Sequence, residues 1–393
     1  MPLLGCIAED FAAGAAHAFA LAAEGLRCVL LIGIPASPAV DMPEDVRGAD
    51  VLVIALAAGE DATERESLAA LSWLRAAGCP RFCLGHGAEL ANSRVGAIGD
   101  ALIAALGCGF AVVSPAFPSR GRSVFQGHLF LGAAPAPQAN LVRVLSGQTD
   151  GTVALLPYGT VAQGAGAVRA AVTALREQGR RYAVADAVDD THLLTLGAAL
   201  GGQPLVTGSA GIAKGLAADL GGGRTAAGGD RVPDGRGAVL AGSASRATLY
   251  QIGAARAHMP VLELSAPVEA TARALAWAEQ QWATQSSETP LLISGAAPPG
   301  GGALAPDILA DIAEGLVALG VRRMLVAGEA TSLAIVGRLS VQRLHVGPEI
   351  APGVPWCLGV RADAPQDLLL AFSDGTSAER YLFIKAFEVL RET

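Results

Sequence analysis

The stretch from Leu3 to Ile34, LLGCIAEDFAAGAAHAFALAAEGLRCVLLIGI, decides the fold. It opens with a short continuous apolar run, Leu3–Ala8, passes through a segment of helical period, Ala12–Glu24, that ends at Gly25, and closes on a second apolar run, Cys28–Ile34, stopped by Pro35. Continuous apolar runs of this length are what strands buried on both faces look like, and a helix between two of them is the crossover that parallel pairing requires. The same alternation continues outward. Strands are expected at Val51–Ala57, Arg81–Leu84, Gly109–Ser114, Val153–Leu156, Tyr182–Ala185 and Pro204–Thr207, with helices at Glu64–Ala77, Val95–Leu106, Ala165–Gln178 and Thr191–Leu200. Further runs at Ala238–Ala241, Val261–Leu264, Leu291–Ser294, Arg323–Ala327, Arg343–Val346 and Leu368–Phe372 repeat the scheme. The reading is an α/β protein of two doubly wound domains with mainly parallel sheets.

The boundary falls at Gly221–Gly237, GGGRTAAGGDRVPDGRG, where glycine and charge replace apolar residues. That assigns residues 1–220 to an N-terminal domain, 221–237 to a linker and 238–393 to a C-terminal domain. A chain of 393 residues with 52% hydrophobic and 16% charged content is far from the composition of a disordered protein. Its net charge of -8 provides no basic field for a nucleic-acid backbone. No stretch has the 18 or so consecutive apolar residues of a membrane span, and the N-terminal MPLLGCIAEDF lacks the basic start of a secretory signal, so a cytoplasmic location is expected. The apolar fraction suits a homodimer as well as a well-buried monomer. Six scattered cysteines, of which only Cys79 and Cys83 are close, read as reduced, buried thiols rather than a zinc site.

In parallel sheets, ligands bind beyond the carboxyl ends of strands, so the loops there carry the chemistry. Three in the second domain are rich in small residues: Gly242-Ser243-Ala244-Ser245, Ser294-Gly295 with Gly300-Gly301-Gly302, and Gly328 to Ser332. Glycine admits close backbone approach and the following helix start offers unpaired N–H groups, which suits phosphate. No GxxxxGK[ST] motif exists, since Lys214 and Lys385 are the lysines of the chain, and no GxGxxG joins a strand to a helix. Anion contacts therefore fall to arginine. Between Pro115 and Pro137 periodicity lapses, and this stretch is expected to be an irregular binding loop in which Arg120, Arg122 and His128 flank a rigid Pro115–Pro118 turn. The Glu9-Asp10 pair, at the end of the first strand, reads either as a helix cap or as an oxygen ligand or base.

Several ordered segments resemble the four-carbon acid sugar kinase family. Pro115–Phe130, PAFPSRGRSVFQGHLF, is similar to that family's PAFPxNGRTVxxGHLFV; NLVRVLSGQ at Asn140–Gln148, PLVTGSAG at Pro204–Gly211, GSASRAT at Gly242–Thr248 and GPEIAPGVPW at Gly347–Trp356 also match. The resemblance implies an N-terminal substrate domain and a C-terminal ATP domain facing one another across an interdomain cleft, with Mg²⁺ bridging the phosphates. It implies that Arg120, Arg122 and His128 hold the carboxylate or hydroxyls of a small sugar acid and that Asp10 takes the hydroxyl proton or orients the hydroxyl. Gly242, Ser243, Ser245, Gly328, Thr331, Glu349, Gly353 and Gly375 would line the nucleotide site.

The departures cluster at those same motifs. The family's ADDFTGATD reads AEDFAAGAAH here, retaining Asp10 and placing His17 where an acid stands; its KxCSTFDST reads GHGAELANS at Gly85–Ser93, without the lysine and aspartate. Arg120 replaces an asparagine, a segment before Asn140 is shortened to Gly132–Ala139, GGETS reads GEATS at Gly328–Ser332, and of KSGNFG only Gly375 survives. Arg120 or His86 could supply the positive charge of the absent lysine. The expected function is phosphorylation of a small hydroxy acid by ATP; the alternative is a relative that binds a small carboxylate without phosphoryl transfer.

Overall fold

The computed structural model describes residues 1–37, 39–56, 64–87, 90, 93–221, 232–265, 267–284, 289–296, 303–362, 367–375, 377 and 379–391. The glycine run 300–302, most of the boundary segment (222–231), residues 88, 89, 91 and 92 of the GHGAELANS stretch, and 376 and 378 thus lie outside the described residues. Two compact units divide the chain, Met1–Ala226 and Ala227–Thr393.

The first unit contains β1 (Leu4–Ala8), β2 (Cys28–Ile32), β3 (Val51–Ala55), β4 (Phe82–Gly85), β5 (Ala111–Ser114), β6 (Arg122–Phe125), β7 (His128–Leu131), β8 (Ala134–Asn140), β9 (Val153–Leu156), β10 (Tyr182–Ala185) and β11 (Leu205–Gly208). A parallel sheet runs in the order β2-β3-β1-β4-β11-β5-β10-β9. Every residue of β1, β3 and β4 is buried, because helices cover both faces, and this is why these strands read as unbroken apolar runs. The chain lays β2 and β3 on one side of β1 and then crosses to place β4 on the other. The switch point therefore lies between β1 and β4, the position at which open parallel sheets place their ligands.

The stretch read as irregular after Pro115 is ordered. β6, β7 and β8 form a separate antiparallel sheet with Arg122 opposite Leu131 and Phe125 opposite His128. Only Val124 and Leu129 of the first two strands are buried, so the apolar signal of a two-sided core strand is missing, and Pro135 and Pro137 in β8 read as breakers. The shortened Gly132–Ala139 segment supplies most of β8.

The second unit contains β12 (Arg236–Ala241), β13 (Val261–Glu263), β14 (Leu291–Ser294), β15 (Val321–Ala327), β16 (Val341–Ala351), β17 (Val354–Arg361) and β18 (Leu368–Ser373). Within it the order is β13-β14-β12-β15-β18-β17-β16, with β17 antiparallel to both neighbours and the remaining pairs parallel. Here the switch point falls between β12 and β15. The strand expected at Arg343–Val346 is a hairpin arm of more than twice that length: GPEIAPGVPW folds as the β16–β17 turn, its prolines accommodated by register shifts around Glu349. Trp356, on β17, is buried against Phe387 with ring centroids 5.8 Å apart and donates its indole N–H to the Ala386 carbonyl, which closes the core on that side. No helix among the described residues is long and apolar enough to cross a membrane.

Candidate functional site

At the switch point of the first unit, Glu9 and Asp10 follow β1 and His86 follows β4. Asp10 caps the helix Phe11–Ala23: its Oδ1 accepts the Ala13 backbone N–H at 2.7 Å. Glu9, buried beside it, accepts from the Ser93 hydroxyl at 2.6 Å and the Arg94 N–H at 3.2 Å through Oε1, and burial pushes its carboxyl above the usual range despite those bonds. It thereby ties the end of β1 to the start of the helix Val95–Leu106. Neither carboxyl belongs to a metal-binding cluster, since no group of three or more His, Cys, Asp or Glu able to hold a metal occurs among the described residues.

Two histidines stand next to these acids, their basicities shifted in opposite directions. His17 is fully buried, with Nδ1 2.8 Å from the Ala13 carbonyl oxygen and Nε2 3.2 Å from that of Gly208. Burial opposes a charge on the ring, but the neighbouring Cys83 and the two carbonyls outweigh it and hold its pKa above the ordinary histidine value. Hydrogen bonding from Cys6, then from His17, brings Cys83 below the ordinary thiol range. His86 is the opposite case. Burial first, and then the nearby charges of His17 and Arg122, push its pKa down to about 4, so it is neutral near pH 7. The expectation that His86 supplies a positive charge is therefore corrected.

The arginines are where the sequence placed them, flanking the Pro115–Pro118 turn. Both guanidinium groups lie against the Phe117 ring, Arg120 at 5.9 Å and Arg122 at 5.5 Å from its centroid, which gathers two cations about one aromatic side chain. His128 does not join them. It pairs with Phe125 while Arg122 pairs with Leu131, so it sits three residues along the ribbon, about 10 Å away, and on the opposite face. Its Nδ1 donates to the Gln126 carbonyl at 2.8 Å.

Asp186, just past β10, escaped the sequence reading. It is fully buried and accepts three backbone N–H groups at 2.8 Å each, from Gln126, Gly127 and Tyr158. The carboxylate clamps the β6–β7 turn to the main sheet and so sets where Arg122 stands. An acid directly after the predicted strand Tyr182–Ala185 was the available signal, by the same strand-end rule that singled out the other loops.

In the second unit the loops after β12, β15 and β18 converge. Gly242 and Ser243 donate backbone N–H groups to the Ala327 carbonyl at 2.8 and 3.1 Å, and Gly328 donates to Ser373 O at 2.8 Å. Ser245 caps the helix Arg246–Ala255 through Thr248 N at 3.1 Å and donates its hydroxyl to Gly375 O at 2.6 Å. A Cβ on Gly242 would stand 2.0 Å from Thr331 Oγ1, and one on Gly375, where φ is +81°, would stand 2.6 Å from Ser243 Oγ. Glycine is thus required at both positions for the three loops to pack this closely. Glu349 accepts the Gly353 N–H at 2.8 Å, and antiparallel pairing puts this β16–β17 turn at the sheet end where Ser373 closes β18. The second unit therefore gathers all eight residues assigned to nucleotide at one end of its sheet.

The first unit thus carries Glu9, Asp10 and His86 at its switch point, and the second gathers glycine and hydroxyl residues at its own. Residues 4–216 match the sugar-binding N-terminal domain model and residues 238–375 the nucleotide-binding C-terminal domain model. The chain is 39% identical to the 3-oxo-tetronate kinase of Burkholderia multivorans over 99% of this chain and 97% of that protein, and 40% identical to that of Cupriavidus necator with the same coverage. Among solved structures, a Salmonella typhimurium LT2 protein superposes with a TM-score of 0.86 at 32% identity, covering 98% of this chain and 99% of the other. A Haemophilus influenzae protein of the DUF1537 family does so at 0.80 and 30%, covering 97% and 98%. The chain belongs to the four-carbon acid sugar kinase family.

Proposed function

We propose that this protein is an ATP-dependent kinase whose acceptor is a four-carbon sugar acid, 3-oxo-tetronate or a close analogue. The observation that carries the reading is the convergence of Gly242, Ser243, Ser245, Gly328, Thr331 and Gly375 at one sheet end, in loops packed so closely that a Cβ on Gly242 or Gly375 would collide with Thr331 or Ser243. Phosphoryl transfer is mostly positioning and charge stabilisation, so a cradle for the phosphates and a fixed cation for the acceptor are the parts it needs. Arg122 and Arg120, stacked on Phe117, would bind the carboxylate. The acceptor hydroxyl oxygen attacks the terminal phosphorus of ATP, the bond to the ADP oxygen breaks, and the hydroxyl proton passes to Asp10 Oδ2, Oδ1 being engaged at the helix cap. Mg²⁺ bound with the nucleotide phosphates would neutralise charge on the transferred group.

The test is a calorimetric titration with Mg-ADP and a non-hydrolysable ATP analogue, followed by an ADP-release assay with 3-oxo-tetronate. Saturable 1:1 binding with a dissociation constant on the order of micromolar to sub-millimolar, and ADP release dependent on the acid, are expected. Absence of nucleotide binding up to millimolar concentration would overturn the kinase reading and leave a carboxylate-binding relative.

A further inference from the structure

The two nitrogens of His86 have different fates. Nδ1 lies 2.6 Å from the Gly87 carbonyl oxygen, and because a carbonyl only accepts, Nδ1 carries the proton. The residue is 1% exposed, and its low basicity keeps a second proton off near neutrality. Nε2 is therefore a bare lone pair, and among the described residues this buried atom meets no hydrogen-bond donor. Buried acceptors are ordinarily paired, and an unpaired one is explained when a ligand completes it. His86 sits at the switch point between β1 and β4, its backbone N–H held by Gly208 O at 3.1 Å, so the ring has a fixed base.

A lone pair selects its partner by chemistry. Carboxylate, keto and phosphate oxygens carry only lone pairs and are repelled, whereas a hydroxyl donates. The guanidinium of Arg122, near enough for its charge to lower the basicity of His86, offers the complementary contact for a carboxylate. Resting on the kinase reading, we propose that His86 Nε2 accepts the hydroxyl on the carbon next to the substrate's carboxylate, so that the site selects 2-hydroxy acids over their 2-deoxy counterparts. His86 is then a specificity-determining residue rather than an anion contact.

The experiment compares 3-oxo-tetronate with 4-hydroxy-3-oxobutanoate, which lacks only the 2-hydroxyl, by calorimetry on the full chain without nucleotide, and separately by ADP release with ATP. The wild-type protein is expected to bind the hydroxylated acid about 10- to 100-fold more tightly, the range for leaving one buried polar group unpaired. His86→Leu should erase that preference by weakening the hydroxylated acid alone, and His86→Gln, whose side-chain oxygen accepts, should restore part of it. Thermal melts check that each variant is folded. Equal binding of the two acids by the wild type, a preference that survives in folded His86→Leu, or no binding of either acid would each overturn the assignment. A binding preference without ADP release would instead retire the kinase reading and leave the assignment standing; ADP release with equal efficiency for both acids would do the reverse.

Discussion

The imidazole of His17 fills the space that any side chain at position 85 would need: a Cβ on Gly85 would lie 2.8 Å from its Cε1, 2.9 Å from Nδ1 and 3.1 Å from Nε2. Glycine at position 85 and the buried ring at position 17 are thus sterically coupled.

This coupling makes a double-mutant cycle informative. Gly85→Lys alone should be severely destabilising, since it drives a side chain into a buried ring. Combined with His17→Asp, which clears the space and supplies a counter-charge, the loss should shrink, with a coupling energy of at least about 1 kcal/mol. Urea denaturation of the two single variants and the double variant measures it; additive losses would show the positions to be independent.

Asp186 should matter far beyond its own side chain. Replacing it with Ala leaves three backbone donors without their charged acceptor, for an expected loss of about 3 kcal/mol or more. Hydrogen exchange should accelerate first at Gln126, Gly127 and Tyr158, the three donors it holds. An unchanged exchange pattern would mean that the hairpin is held by other contacts.

Asp10 combines a cap with a proposed proton acceptor, and substitutions separate the two. Asp10→Ala should cost about 1 kcal/mol in cap energy as well as turnover. Asp10→Ser retains a capping oxygen, so its stability should stay near wild type while ADP release falls by at least about 100-fold. Retained turnover in a stable Asp10→Ser protein would confine the residue to its capping role.

His86 gives the acid limb of stability a definite sign. Its folded pKa of about 4 lies below the ordinary histidine value of 6.5, so between these the unfolded chain binds a proton that the native protein refuses. Stability is full above pH 6.5 and is lost as pH falls toward 4, by up to about 3 kcal/mol from this group. Denaturation at pH 7 and pH 4.5 should show a steeper decline for wild type than for His86→Asn; parallel declines would mean that His86 titrates normally.

The cradle of the second unit has a steric test. Gly242→Ala would put a methyl group 2.0 Å from Thr331 Oγ1. Movement of the Gly328–Ser332 loop should weaken Mg-ADP binding by at least about 10-fold, an effect of the size expected from losing one to two hydrogen bonds. Titration beside a thermal melt separates a lost site from a lost fold.

Much of this was written in the sequence. Strands buried on both faces cannot alternate, so β1 through β5 and β12 through β15 announced themselves as apolar runs, and the glycines and hydroxyls at their carboxyl ends marked the loops that would carry phosphate. Arg120 and Arg122 were legible beside a proline-stiffened turn. Strands with one packed face carry only half that signal, which is why β6 to β8 passed for irregular chain, and why of the long β16 only Arg343–Val346 was expected. What tertiary structure alone decided is which atoms meet. Pairing register carried His128 to the far face from Arg122. Parallel pairing of β11 beside β4 set the Gly208 carbonyl against His17, and the Gly87 carbonyl fixed the proton of His86. Two histidines of equal intrinsic basicity were thereby shifted in opposite directions, because protonation follows the partners that folding assembles around each ring rather than the residue's identity.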